Sequence, residues 1–441
     1  MDATMAPPAR PLSRYIPLTR HAVIADLCAK LTGDDDGDRD AFAQVALRLQ
    51  RHRGHGYRLL AEEIRRCYLP FSPDQDTVRV IEFSPEERKA MGDRLAGLIK
   101  HLLERANYTR LSNDELTEML SAQSPYSLRI EVDLAEYDVM HVFVRDSFDE
   151  TRTTRRPEWA YLLKERYTVH IYRRLFVFLK LKSDEMRAKE IAEAESITEA
   201  KALKLVAKRR KQLPTGTSTD FIYVKVFKDM PQHDLQILFP LRRVQFRPFD
   251  KMKFYATAGG GTLFGVFTTT GKVLAASNPF TAVGALIAFI GLLARQISTF
   301  FNQRTRYMME LAQKLFFHNL ANNRAALALL LDRAEEEDVK EDLITLSFAA
   351  GRTVPEDGLD GLKDEICASL SERYGVSVNF ELPDALSRLE EDGLVTRSGG
   401  MVRFPTLAAA ADRLEAILKS DDADDERHLC DEAPADAVAE V

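Results

Sequence analysis

The feature that most constrains this sequence is an apolar stretch at residues 279–301, in which Arg295 is the only charged residue. Counting back to Val273 gives about 22 residues before that charge, and a helix needs ~20 to cross a bilayer core. The rest of the chain has the composition of water-soluble protein. We therefore predict a transmembrane helix within a chain that has large soluble parts.

A second stretch, residues 254–270, is uncharged but more polar than the first. Basic residues flank the two stretches on both sides: Arg242, Arg243, Arg247, Lys251 and Lys253 before them, and Arg295, Arg304 and Arg306 after. The positive-inside rule places both flanks on the cytoplasmic or matrix side, which requires an even number of crossings. We therefore predict a membrane hairpin over residues 254–301. The alternative is a re-entrant or interfacial first segment.

Small residues recur at helical spacing in both stretches. Gly261 and Gly265 form a GxxxG pair, and Gly284, Ala288 and Gly291 form a stripe. Such stripes let helices approach closely in lipid. They predict helix packing, either between the two spans of one chain or between chains in a homo-oligomer formed through the membrane helices.

The region before the predicted hairpin has a helical part followed by a strand-rich part. Residues 1–127 read as helical, with Ser-x-x-Glu capping boxes beginning at Ser84 and Ser112. Residues 128–250 alternate apolar and polar side chains, as strands do. The charged insertion at 184–211 has its acids first and its bases last, which suits the helix dipole and predicts one long exposed helix. Its basic end is interpreted as a solvated face, with contact to anionic lipid as the alternative.

The region after the hairpin reads as helical over residues 302–350, with the acidic run 335–338 as a solvated face. Residues 355–418 have a winged-helix-like outline that ends in a hairpin around Gly399 and Gly400. Residues 420–441 are acidic and are predicted to be disordered.

Charge argues against a nucleic-acid partner. The segment that would serve as the recognition helix, residues 381–393, carries five acids and a single base, Arg388. Such a face repels phosphates, whose neutralisation supplies most non-specific affinity. The net charge of −7 shows no basic excess either.

No motif in the sequence identifies a reaction. Gly271 and Lys272 resemble the end of a phosphate loop, but Gly265 lies one residue too far away and Val273 replaces the magnesium-binding hydroxyl. His52 and His55 lack a third ligand, which is typical of surface or capping residues. The four cysteines are far apart and indicate free thiols in a reducing compartment. We predict no cofactor and no metal.

Two stretches are specific enough to suggest a family: FKDMPQHDLQILFP at residues 227–240, and the run RYMMELAQKLFFHNLANN that opens residues 306–343. Both look similar to the domain-of-unknown-function family that includes transmembrane protein 143, and the resemblance extends over residues 14–418. It implies a membrane protein with mitochondrial or bacterial relatives. It supplies no known catalytic residues.

The fold class predicted is α+β: an N-terminal helical plus mixed-sheet domain, a transmembrane helical hairpin and a C-terminal winged-helix-like domain. The function predicted is that of a non-enzymatic scaffold, anchored in a bacterial inner or a mitochondrial membrane as a multi-pass protein, that contacts lipid or an unknown protein partner. The alternative is a membrane-bound enzyme with a site in residues 128–250, built from Asp133, His141, Arg145 and His170. A pore has little support, because the apolar spans lack charge.

Overall fold

The computed structural model describes residues 13–31, 36–74, 82–121, 128–155, 164–211, 213–246 and 315–431, together with Gly291, Ser298 and Met309. The chain divides into two compact units. Unit 1 combines the two ends of the chain, Met1–Thr109 and Asn323–Val441, and unit 2 is the middle, Arg110–Asn322.

The N-terminal part of unit 1 consists of helices α1 (Arg20–Leu31), α2 (Asp36–Tyr68) and α3 (Pro85–Arg105). The start of α3 is set by the predicted capping box, which is confirmed: the Glu87 amide donates to the Ser84 hydroxyl and the Glu87 carboxylate accepts from the Ser84 amide. The same reciprocal bonds join Ser112 and Glu115 at the start of α4 (Asn113–Ser121), in unit 2.

The C-terminal part of unit 1 alternates helices with short strands. A β-hairpin turns at Gly399 and Gly400, both at positive φ, as predicted. The strands β8 (Thr353–Pro355), β9 (Thr396–Ser398) and β10 (Met401–Arg403) form an antiparallel sheet in the order β8-β10-β9. In chain order the elements are α7 (Asn323–Ala349), β8 (Thr353–Pro355), α8 (Leu359–Tyr374), α9 (Leu382–Glu391), β9 (Thr396–Ser398), β10 (Met401–Arg403) and α10 (Leu407–Asp431).

One hydrophobic core joins the two ends of the chain in unit 1. Phe42 and Leu49 of α2 belong to the same buried cluster as Leu343 of α7, Leu389 of α9 and Leu414 of α10. The regions predicted as a separate helical domain and a separate C-terminal domain are therefore parts of one folded unit.

Unit 2 is built on a sheet of β1 (Thr109–Arg110), β3 (Tyr137–Arg155), β4 (Lys164–Leu181), β5 (Ile222–Pro231) and β7 (Asn319–Asn322), in the order β1-β3-β4-β5-β7. The pairs β3–β4, β4–β5 and β5–β7 are antiparallel. A second pair, β2 (Leu128–Val132) with β6 (Arg242–Phe246), is also antiparallel.

The charged insertion of unit 2 differs from its prediction. It forms two helices, α5 (Asp184–Glu195) and α6 (Glu199–Arg210), because the chain turns at Ser196, which adopts a left-handed conformation with φ of 51°. The two helices pack on each other through buried Ile191, Ala202 and Val206. A single long exposed helix is thus the wrong description.

Across the part of the chain that the structure describes, no helix is both long enough and apolar enough to cross a membrane. On this finding the transmembrane hairpin in our fold prediction is wrong, and so is the multi-pass membrane location that depended on it. The long helices α2, α7 and α10 carry many charged side chains, whose transfer into lipid is costly. Residues 254–301 themselves lie outside the described residues, apart from Gly291 and Ser298.

The predicted disordered tail also needs correction. Helix α10 continues to Asp431, so residues 420–431 are helical in the structure. A contact from His52 of α2 to Asp421 holds part of this stretch. Residues 432–441 lie outside the described part of the chain.

Candidate functional site

The densest group of titratable side chains in unit 1 lies in the middle of α7. Its sequence there, EEEDVKED, was predicted to begin a solvated face. In the structure Glu337, Asp338, Lys340, Glu341 and Asp342 are all buried. The prediction fails because other helices cover this stretch of α7 and supply opposite charges to it.

Arg388 of α9 lies at the centre of this charge cluster. Its Nη1 lies 3.1 Å from Asp338 Oδ1, its Nη2 donates to Glu341 Oε2 at 2.8 Å, and its Nε donates to Asp342 Oδ1 at 3.0 Å. Burial alone would lower the pKa of Arg388, but the three carboxylates outweigh burial and hold that pKa well above its usual value. The single base of the predicted recognition segment therefore points into the protein.

Arg53 of α2 connects the same cluster to the end of α9. Its Nε donates to Asp342 Oδ2 at 2.8 Å, and its Nη2 donates to Asp392 Oδ2 at 2.6 Å. Charge-assisted hydrogen bonds of this kind are short and strong, and the planar guanidinium fixes their directions. Arg53 thus ties α2, α7 and α9 together.

Asp338 receives two further donors from the N-terminal helices. The Tyr57 hydroxyl donates to its Oδ2 at 2.7 Å, and Arg105 of α3 donates to the same oxygen. The Arg105 guanidinium also lies over the Tyr57 ring, 5.1 Å from its centre. Burial raises the pKa of Asp338 despite Arg388 and Arg105, and burial together with the Asp338 charge raises the pKa of Tyr57.

Glu341 is a second carboxyl whose pKa is raised by burial. Its oxygens accept from Arg388 and, at 3.4 Å, from the Asn107 amide, yet burial raises its pKa to about 8. A pKa of about 8 keeps Glu341 protonated near neutral pH. Protonation also balances the cluster, because the carboxyls of Asp338, Glu341, Asp342 and Asp392 face the guanidiniums of Arg53, Arg105 and Arg388.

His52 extends the cluster toward α10. Its Nε2 lies 3.0 Å from Asp392 Oδ1 and its Nδ1 lies 2.8 Å from Asp421 Oδ2. Both ring nitrogens face carboxylates, so the imidazolium form satisfies both contacts. The hydrogen bond to Asp392 raises the pKa of His52, although burial opposes it. His55 contacts Arg58 instead, so the two histidines do not converge on a metal site.

The charged groups of this cluster are paired with one another. Each of its four carboxyls contacts at least one arginine, and its charged groups lie between helices of unit 1. Such a network of buried ion pairs specifies how the helices meet. Removing one partner leaves a buried charge uncompensated. The cluster joins the helices structurally, and its charge depends on the protonation of Glu341 and His52.

The residues predicted for an enzyme site in unit 2 do not converge. His141 and Asp149, the partner of His170 at 2.8 Å, are eight residues apart on β3, which is ~26 Å at ~3.3 Å per residue. Arg145 is buried between them. Asp133 precedes β3, where its carboxylate caps the turn at residues 134–136.

His141 and Asp133 have local roles. His141 stacks on Phe178 with ring centres 6.3 Å apart, and burial together with the charge of Arg110 lowers its pKa. Asp133 accepts from Arg187 at 2.8 Å.

The basic end of α6 is engaged within unit 2. Arg209 donates to Glu136 Oε1 at 2.7 Å, and Arg210 donates to Asp184 Oδ1 at 3.2 Å. Glu136 is almost fully buried and also accepts from Arg187 at 3.2 Å. The sequence did not single out Glu136, which is the carboxylate at the centre of this second cluster.

Of the residues predicted for helix packing, only Gly291 is described. It is helical and exposed, and a Cβ added there would meet nothing within 4 Å. Gly261, Gly265, Gly284 and Ala288 lie outside the described residues, so their role in packing stays a prediction.

The geometry defines a mixed helix and sheet protein with an antiparallel-sheet unit and a largely helical unit. A family model described as "Protein of unknown function (DUF3754)" matches residues 172–325, from within β4 to the start of α7. No solved structure matches the chain. The family match agrees with the resemblance to a domain of unknown function, and none of the comparisons connects the chain to transmembrane protein 143.

Proposed function

We propose that this protein is a non-enzymatic scaffold that works by contacting other protein chains. An enzyme site needs reactive groups that converge where substrate can reach them. The largest charge cluster of unit 1 is instead buried and internally paired, and the four candidate residues of unit 2 are spread along the sheet. These observations favour contact over catalysis.

The observation that carries the proposal is an exposed aromatic segment next to β7. Phe316 is 77% exposed and Phe317 is 69% exposed, and their rings meet edge to face with centres 5.3 Å apart. Leu320 within β7 is also exposed. The segment is anchored to β5 because His318 Nδ1 donates to the Lys228 carbonyl at 2.8 Å.

The strand beside this segment lacks one usual protection of a sheet edge, a charged side chain. Among the described strands, β7 ends the sheet order and pairs with β5 alone. Residues 315–323, LFFHNLANN, contain no Lys, Arg, Asp or Glu, in a chain in which 29% of residues are charged. Natural edge strands carry charges that discourage pairing with another chain.

A second copy of this chain fits such an edge. Two uncharged segments can meet without like-charge repulsion, and a two-fold interface brings the same patch of each copy together. The partner is therefore another copy, bound through β7, Phe316 and Phe317.

The test is the oligomeric state of the purified full-length chain, measured by sedimentation velocity over a range of concentrations. We expect the wild type to dimerise and Phe316→Ser/Phe317→Ser to remain monomeric at the same concentrations. Leu203→Ser on α6 is the matched control, because Leu203 is also exposed, and it should dimerise as the wild type does. A wild type that stays monomeric, or a double variant with unchanged association, contradicts the proposal.

A further inference from the structure

The ring of His52 connects α2 to two other helices of unit 1. Its Nε2 lies 3.0 Å from Asp392 Oδ1 at the end of α9, and its Nδ1 lies 2.8 Å from Asp421 Oδ2 in α10. A neutral imidazole has one N–H donor, whereas the imidazolium has two. Only the protonated ring can therefore donate to both carboxylates at once.

The two carboxylates depend on His52 to different degrees. Asp392 also accepts from Arg53 at 2.6 Å, and its side chain is 8% exposed. Asp421 has no partner other than His52 among the described residues, and its side chain is 19% exposed. A neutral ring that keeps its hydrogen on Nε2 still holds the more buried Asp392, but it turns the lone pair of Nδ1 toward Asp421. Loss of one proton therefore breaks the contact with α10.

The last turns of α10, residues 418–431, have few other contacts. Arg48 of α2 holds α10 at an earlier point, where it donates to the Ala411 carbonyl at 2.7 Å and pairs with Glu415 at 2.8 Å. Among the side chains that the structure describes in residues 418–431, Asp421 alone pairs with another helix. Residues 421–426 read DDADDE, and like charges three or four residues apart destabilise a helix. These turns therefore depend on the contact with His52.

The charged groups around His52 come from α2, from the end of α9 and from α10. Arg48 and Glu415 pair with each other, and Arg413 donates to the Asp392 carbonyl at 3.1 Å, so the two aspartates are the groups that respond to the charge of the ring. The hydrogen bond to Asp392 raises the pKa of His52, against the opposing effects of burial and of the Arg53 charge. The full set is Arg48, Arg53, Asp392, Arg413, Glu415 and Asp421.

We propose that His52 is a proton-controlled latch that docks residues 418–431 of α10 onto α2. The protonated ring holds Asp421, and the last turns of α10 stay helical. The neutral ring releases Asp421, and these acidic turns separate from α2 and unfold locally. A change in the charge of one histidine thus controls an element that has two states.

The direction of the pH dependence follows from the raised pKa of His52. A raised pKa stabilises docking fully below the ordinary value of 6.5, and this stabilisation is lost as pH rises through the raised value. Docking is therefore the state at low pH, and release is the state at high pH.

The experiment is amide hydrogen exchange of the full-length chain, measured by mass spectrometry at pH ~5.5 and pH ~8.5, on either side of the range in which histidines titrate. The results are compared as protection factors, which remove the intrinsic effect of pH on exchange. Peptides from residues 418–431 should be at least ~10-fold more protected at the lower pH, the factor that corresponds to one unit of pKa. Peptides from residues 407–414, which include the buried Leu414, should change less.

Two variants identify the group that responds. Asp421→Asn can exchange a hydrogen bond with either form of the ring, so the protection of residues 418–431 should no longer depend on pH. Asp422→Asn is the matched control, because Asp422 is exposed and has no partner among the described residues. It should keep the pH dependence of the wild type.

Three results would overturn the proposal. The first is wild-type protection of residues 418–431 that does not change with pH. The second is an Asp421→Asn chain that keeps the full pH dependence, because another group would then be its source. The third is an equal change in residues 407–414 and 418–431, which would show that the whole of unit 1 loosens rather than the last turns of α10.

Discussion

The two charge clusters of this protein, one in each unit, differ in where their charges come from. The unit 2 cluster around Glu136 uses residues between Asp133 and Arg210, and several of its side chains are partly exposed. The unit 1 cluster around Arg388 is buried and joins α2, α7 and the end of α9 across up to 339 residues of sequence. The unit 2 cluster is assembled within one region of the chain. The unit 1 cluster holds together helices from both ends of the chain.

Exposure gives one carboxyl of each cluster opposite responses, whereas at Asp392 of unit 1 burial alone would raise the pKa but His52 and Arg53 lower it. In unit 2 the hydrogen bond from Lys182 lowers the pKa of Glu190, which lies near the surface. In unit 1 burial raises the pKa of Glu341 to about 8. The comparison shows that similar ion pairs favour the charged carboxylate where water remains and the neutral acid where water is excluded.

The largest expected effect is from Arg388→Met, which leaves Asp338 and Glu341 without their common partner. Breaking a buried pair from one side costs ~3–5 kcal/mol. The measurement is urea unfolding of the full-length chain, with Arg397→Met as the exposed control. An unchanged unfolding midpoint for Arg388→Met would contradict the claim that the buried cluster contributes more to stability than the partly exposed one.

The second prediction concerns pH. Because the pKa of Glu341 is raised from 4.5 to about 8 on folding, its contribution to stability is complete below pH ~4.5 and is lost as pH rises through ~8. The raised pKa of His52 acts in the same direction. The unfolding midpoint of unit 1 should therefore fall as pH rises from ~4.5 to ~8, to be measured by urea titration with a probe in that unit.

Glu341→Gln provides the control for this pH dependence. The substitution keeps the size of the side chain and removes its titration, so the fall in midpoint with pH should become shallower. A slope identical to that of the wild type would exclude Glu341 as its source.

A smaller effect is expected from Arg187→Met in unit 2. Glu136 loses one donor but keeps Arg209, while Asp133 and Glu190 remain accessible to water. One hydrogen bond to a charged group contributes ~1.5–3 kcal/mol, and the bonds of Arg187 to Asp133 and Glu190 contribute less because those carboxylates are partly exposed. Urea unfolding should rank this variant between Arg397→Met and Arg388→Met, and a cost equal to that of Arg388→Met would contradict the ranking.

Local features of the fold were predictable from sequence. The capping boxes at Ser84 and Ser112 and the hairpin at Gly399 and Gly400 follow from neighbouring residues, and the structure contains all three. The hydropathy of residues 279–301 predicted a membrane span, and apart from Gly291 and Ser298 these residues lie outside the described part of the chain. The described helices supply none that fits.

The candidate site was not predictable, because its partners are distant in sequence. Arg53 lies 289 residues from Asp342, and a charged run in a helix is usually solvated. One signal was present: apolar residues flank the run on both sides, ALALLL before it and LITL after it. A helix that is apolar at both ends of a charged run is covered on more than one face.

A double-mutant cycle between Arg53 and Asp342 tests the buried junction most directly. The variants Arg53→Met and Asp342→Asn, alone and combined, are compared by urea unfolding of the full-length chain. Residues in contact within one network couple by ~0.5–3 kcal/mol, and a buried pair that joins α2 to α7 should lie in the upper half of that range. A coupling energy near zero would show that these two side chains do not meet in solution and would contradict the junction.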